Sequence, residues 1–237
     1  MKRTITIFAA FFISYTAYSQ EEVIEYDTKS GQNIEHIIPI DRQYILPEFE
    51  QCSLLDKNGQ KFSGIVNIHL PSNTLRMIDS DGDTLEVSNA DDIRTIISRD
   101  HKILHVDRKF IIPIAEHKGI TLSVLPSIII EFFDKMERDY IVDIANVRNE
   151  AVSWNTGSIK TILVPDALSD KVTMRCTYKS EYVLTSGDKV YPCRLSSFYK
   201  VFPKKKNLIR AYTHDNYIYF HIRESVLNLF NFCIRNM

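Results

Sequence analysis

Four groups of side chains in this sequence have types and spacings that invite chemistry. Asp79, Asp81, Asp83 and Glu86 crowd one stretch, and alternating acids are what a calcium ion takes as oxygen ligands. The spacing argues against that use. An EF-hand-type loop needs its glycine later and its closing glutamate further on than Gly82 and Glu86 stand. A solvated hairpin turn accounts for the same residues. His101 and His105 stand four apart, which would align them on a helix, but the segment reads as a strand. There they would share a face about 13 Å apart, with no nearby Cys or third His to complete a metal set.

The third group, Ser197-Phe198-Tyr199-Lys200, matches the Ser-x-x-Lys of penicillin-recognising enzymes. Those also need a Lys-Thr-Gly strand and a larger fold, and the chain has no Lys-Thr-Gly. Helix packing explains Phe198 and Tyr199. Gly-x-Ser-x-Gly, His-Glu-x-x-His and phosphate-cradling glycine loops are likewise missing from the sequence. No catalytic residue, metal site or cofactor is therefore expected.

The fourth group is the strongest. Lys204, Lys205 and Lys206 follow Pro203 at a predicted helix N-terminus, where the macrodipole disfavours cations by about 0.3–1 kcal/mol each when exposed. Such placement does not stabilise its own helix. It points to docking on the acidic part of the chain, on an envelope protein or on an anionic envelope component, against the alternative of a merely soluble surface. The sole tryptophan, Trp154, adds a second candidate binding residue on a long connection.

The remaining reactive side chains are Cys52, Cys176, Cys193 and Cys233. In an oxidising compartment disulfides can persist, and the candidate pair is Cys193 with Cys233, which would staple both ends of the C-terminal tail. The competing reading is four buried thiols acting as small hydrophobes.

The elements that must position these groups follow from periodicity. Residues 20–48 are predicted as an extended lead-in, with Ile37 to Ile40 as an edge strand. Residues 49–145 read as a β domain: Asn58-Gly59 accepts the positive φ of a tight hairpin, and short alternating strands recur between turns. Asp91 and Asp92 suit one helical turn begun by Asn89. Ile120 to Leu125 and Ile128 to Phe133 are predicted as two separate strands, with Ile141 to Ile144 closing the sheet. Residues 146–170 are predicted as a long flexible connection. Residues 171–237 give a strand pair, then a helical tail in which Leu195, Phe198, Tyr199 and Phe202 mark one apolar face and Pro203 starts the next helix. The predicted fold class is α+β: a curled antiparallel sheet or small SH3-like barrel followed by a three-helix tail.

At the N-terminus, Lys2 and Arg3, the apolar run Ile5 to Ile13, and Ala17-Tyr18-Ser19 are the three parts of a signal peptide over residues 1–19. The run is shorter than the roughly 20 residues a bilayer needs, and no Cys stands at the cleavage point for lipid attachment. No later segment is predicted to cross a membrane. The chain's net charge is −1, but from Arg194 onward eight basic residues face two acidic ones, about +6. Nucleic acid is not an expected partner of an exported chain with no net positive charge.

Two stretches carry a family resemblance. One is Gly82-Asp83-Thr84-Leu85 with Ile93 and Ile96. The other runs from Tyr199 to Lys206 and on through Ile209, Tyr212, Asn216 and Phe220 to Phe232-Cys233. Both resemble uncharacterised exported proteins of Bacteroidetes-type bacteria. The resemblance implies export and an envelope location and implies no activity. The expected function is that of a non-enzymatic periplasmic or envelope-associated binding or structural protein. The alternative is a hydrolase of envelope polymers with its residues on 146–170 or at strand ends.

Overall fold

The structure, a computed structural model, describes residues 21–134, 161–166 and 171–235. Trp154, the signal-peptide segment and the predicted strand Ile141 to Ile144 lie outside the described residues.

Eleven antiparallel strands in the described residues make one sheet: β1 (Glu21–Thr28), β2 (Glu50–Asp56), β3 (Lys61–His69), β4 (Thr74–Ile78), β5 (Thr84–Glu86), β6 (Ile93–Ile97), β7 (Lys102–Val106), β8 (Lys109–His117), β9 (Ile120–Asp134), β10 (Val172–Ser186) and β11 (Lys189–Pro192). Their order is β1-β10-β9-β8-β7-β6-β2-β3-β4-β5, with β11 on β10. In the described residues the sheet is open, as the curled-sheet form of the expectation has it. In the described residues three helices follow: α1 (Leu195–Val201), α2 (Lys206–Asp215) and α3 (Arg223–Arg235).

Local chemistry sets the hairpins. Gly59 takes φ 83° in the β2–β3 turn, and Asp56 Oδ1 accepts from the amides of Asn58 and Gln60. Asp107 and Arg108 carry φ of 51° and 56° between β7 and β8, the two positive values that a two-residue type I′ hairpin requires. The Ala90–Asp92 turn is 3-10, and the Asn89 side chain makes no capping bond to it.

β8 is shared between two parts of the sheet. Its first residues pair with β7 and its later ones with β9, with a register shift between Pro113 and Ala115. Such a bulge bends a strand and increases its twist. β9 is a single strand of 15 residues, not the two predicted. Pro126 stands inside it, opposite Ser180 of β10 and past Val124, where β8 stops pairing. β10 pairs with β9 along all 15 positions, joining the segments on either side of residues 146–170 in one sheet.

Residues 20–48 are the largest correction. They are not an extended lead-in. β1 pairs with β10 at eight positions, and 3-10 turns at Ile34–His36 and Ile40–Arg42 flank the stretch Ile37 to Ile40, which forms no strand. Pro39 caps the second turn with φ −57°. Ile34, Ile38 and Leu46 are buried. The end of the 146–170 connection joins them: Ile162 and Val164 are core residues, and Val164 exchanges backbone bonds with Gly31 and Gln32.

Three apolar clusters result among the described residues. One lies within β2–β8, around Val66, Ile68, Leu75 and Ile96. The second sets the three helices against Leu122, Tyr182 and Leu184. The third packs Ile34, Ile38, Ile162 and Val164 on the far ends of β9 and β10, through Ile130, Phe132 and Met174. No helix in the described residues is long and apolar enough to cross a membrane.

Candidate functional site: a cationic cleft on the helical tail

The tail is organised by its aromatic face. Phe198, Phe202, Ile209, Val226, Leu229, Phe230 and Cys233 are buried together. Pro203 ends α1 and opens a 3-10 turn, Pro203–Lys205, from which α2 starts directly. This tight link separates the three lysines. Lys204 is exposed. Lys205 is buried, 9% exposed, and its Nζ donates to the Cys233 carbonyl at 2.8 Å. Lys206 lies at the start of α2 with its Nζ 5.7 Å from the centre of the Tyr199 ring.

The role of Lys205 differs from the sequence expectation. Its ammonium reaches the C-terminal turn of α3, where the macrodipole is negative and carbonyls lack helical partners. The unfavourable position at one helix start is thus a favourable one at another helix end. Lys205 is a structural residue and is withdrawn from the docking set.

Lys206 begins a row on one side of α2. Arg210 and His214 follow at successive four-residue steps, about 6 Å each along the axis. With Leu195 and Tyr199 from α1 and Thr213 from α2 they line a solvent-open cleft of about 500 Å³. Within the described residues no ion pair to a carboxylate engages Lys206 or Arg210, while His214 Nδ1 lies 3.0 Å from Asp215 Oδ1. The cleft combines an aromatic ring with cations that can hold an anion, beside the Thr213 hydroxyl, which donates to the Arg210 carbonyl at 3.2 Å.

The other sequence candidates do not converge. His101 turns to Glu50 at 3.4 Å and to Ser98, while His105 stacks on Phe110 and meets the carbonyls of Ala90 and Ile93. Asp79 Oδ1 accepts from the amides of Asp81 and Asp83, as in a plain turn. In the described residues no group of three or more His, Cys, Asp or Glu is placed to hold a metal. Ser197 is buried and Lys200 exposed, so they form no nucleophile–base pair. All four cysteines are free, including Cys193 and Cys233. Burial pushes these two thiols up to about 12, which makes them inert hydrophobes near neutral pH.

A polar cluster that the sequence reading missed sits under the lead-in. Asn67, His69 and Arg76 are almost fully buried, with Asn67 opposite Arg76 in the β3–β4 register. Arg76 grips Glu35 with two bonds, Nη2 to Oε1 at 2.7 Å and Nη1 to Oε2 at 3.0 Å, and also donates to Tyr44 Oη at 3.2 Å. Burial pushes the Glu35 carboxyl up, and the Arg76 hydrogen bonds and charge more than offset this, holding it below the usual carboxylate range. His69 Nδ1 lies 2.7 Å from the Ser72 hydroxyl and 3.3 Å from the Ser72 amide. Burial first, then the Arg76 charge, pushes His69 down to about 3. Its Nε2 has no hydrogen-bond partner and lies 3.9 Å from Glu35 Oε1.

The sequence held one usable signal for this cluster. Asn67, His69 and Arg76 share a strand face that alternation assigns to solvent, yet the lead-in beside it carries enough isoleucines to be buried.

Compared with family models, curated proteins and solved structures, the chain matches none.

Proposed function

We propose that this chain is a non-enzymatic exported protein of the periplasm or envelope that works by binding an anionic envelope component through the α1–α2 cleft. The observation that carries the reading is the row Lys206, Arg210 and His214 beside Tyr199, with no carboxylate paired to the two strong cations in the described residues. The charge asymmetry of the sequence supports it: the positive excess lies in the tail that builds the cleft. The features of residues 1–19 and the family resemblance support export.

A hydrolase would want an acid or histidine with a shifted pKa facing a pocket. The acid and histidine shifted in the described residues, Glu35 and His69, are instead committed to a buried clamp. A carboxylate held ionised by a bidentate arginine is a poor proton donor near neutral pH. The cluster therefore favours the binding reading.

Cosedimentation with isolated envelope fragments tests it, comparing mature wild type with Lys206→Glu/Arg210→Glu. Lys205 stays unchanged because altering it would loosen α3. Loss of cosedimentation at an unchanged Tm supports the proposal. Equal cosedimentation, or none by either protein, rejects it.

A further inference from the structure

The site's partner chemistry follows from the shape and lining of the cleft, an argument that rests on the function proposed above. Lys206 and Arg210 lie about one helical turn apart along a trough walled by the apolar Leu195 and the Tyr199 ring, with the Thr213 hydroxyl beside them, its proton given to the Arg210 carbonyl and its oxygen left to accept. Three properties of an occupant can be read from that lining. It carries negative charge at repeated positions, it has apolar faces able to lie on an aromatic ring, and it has hydroxyls to meet Thr213. A sugar ring supplies the last two, since one face is largely C–H and its rim is hydroxylated. A carboxylate on successive rings supplies the first.

A bilayer fits less well. Membrane-surface helices place their apolar side chains on the contact face itself, with basic groups around them. Here the cations line a concave cleft, and the most exposed large aromatic of the tail, Tyr217 at 90%, is not part of its lining. A cleft of about 500 Å³ lies within the roughly 300–1,000 Å³ span of ligand clefts. Being open to solvent, it lets a chain pass through.

We infer that the α1–α2 cleft holds a strand of carboxylate-bearing polysaccharide, with carboxylates on Lys206 and Arg210 and sugar faces against Leu195 and Tyr199. His214, fixed through Nδ1 by Asp215, closes the row. Lys204, exposed but outside the lining, takes no part. That lysine is the internal control.

The test is calorimetric titration of the mature protein with polygalacturonate. Its fully methyl-esterified form supplies the sugar without the charge, and polyacrylate the charge without the sugar. Polygalacturonate should bind, with both comparison polymers about tenfold weaker or more. Lys206→Glu/Arg210→Glu should lose about tenfold or more, and Lys204→Glu less than about twofold, all at unchanged Tm. Equal binding of polyacrylate, or an equal loss in Lys204→Glu, would overturn the inference by showing undirected electrostatics. So would binding to vesicles of anionic phospholipid without binding to polygalacturonate. In that last case charge-dependent cosedimentation would survive, and only the polysaccharide assignment would fail. If cosedimentation failed as well, the proposed function would fall with it.

Discussion

The clamp of Glu35, His69 and Arg76 shows how single side chains hold distant segments together. Arg76 is 1% exposed and spends three hydrogen bonds on residues 32 and 41 positions away. Removing one partner of a buried pair leaves the other uncompensated, at about 3–5 kcal/mol. Glu35 keeps some exposure, 18% of its side chain, so Arg76→Ala should lose about 3 kcal/mol, read as a lower urea midpoint. The pH dependence has a definite sign. Both groups have depressed folded pKa values, so the unfolded chain binds more protons on the acid side. Stability from His69 is complete above the ordinary histidine value of 6.5 and is lost as pH falls toward about 3. Glu35 adds a loss that starts below its ordinary 4.5. At pH 5 the His69 share is about 2 kcal/mol. His69→Asn keeps an acceptor for the Ser72 amide, so its urea midpoints between pH 6.5 and 5 should be nearly flat while the wild type's fall. A wild type as flat as the variant would remove His69 from the acid response.

At the scale of elements, the tail depends on one lysine crossing between helices. Lys205→Ala takes a charged donor from the α3 C-terminus and leaves the Cys233 carbonyl without it, a loss of about 1.5–3 kcal/mol. Lys204→Ala, one residue earlier and exposed, should stay within about 0.5 kcal/mol. Thermal melts of the pair check this, and equal Tm values would contradict it. The same residue marks the limit of sequence reading. The helices and hairpins were legible because each announces itself locally: Phe198 and Phe202 by helical spacing, Gly59 by the φ its turn needs. The place of Lys206 at the start of α2 was legible because it too is local. Lys205 was not, since its partner lies 28 residues away. The split predicted within β9 failed for a related reason. Whether Pro126 ends a strand depends on whether a neighbour needs its missing amide, and that is a fact about β8 and β10.

For the whole molecule, the lead-in is the part least visible in sequence and most involved in the architecture. It adds β1 to one end of the sheet, covers the polar face of β3 and β4, and brings Ile34 and Ile38 to the far ends of β9 and β10. Asn67 shows why the pattern misleads: its side chain accepts from the Leu46 amide and donates to the Leu46 and Glu48 carbonyls. Polar strand residues here satisfy a covering segment's backbone rather than facing water, and alternation cannot tell these apart. A chain beginning at residue 49 is therefore expected not to fold as an independent domain. It should retain far-UV β signal while losing near-UV structure and binding a hydrophobic dye, whereas the chain beginning at residue 20 should melt cooperatively. A cooperative melt of the shorter chain would show that the lead-in is dispensable.

The β9–β10 pair has a mechanical meaning. Fifteen matched positions at about 3.3 Å each make a beam roughly 50 Å long, with the helical cluster and its cleft at the Leu122 and Leu184 end and the lead-in cluster at the other. Tension along that beam loads its rungs in parallel, so they resist together. Tension across it strains one rung at a time. A molecule held at the cleft and pulled from its opposite end is loaded in the stronger direction.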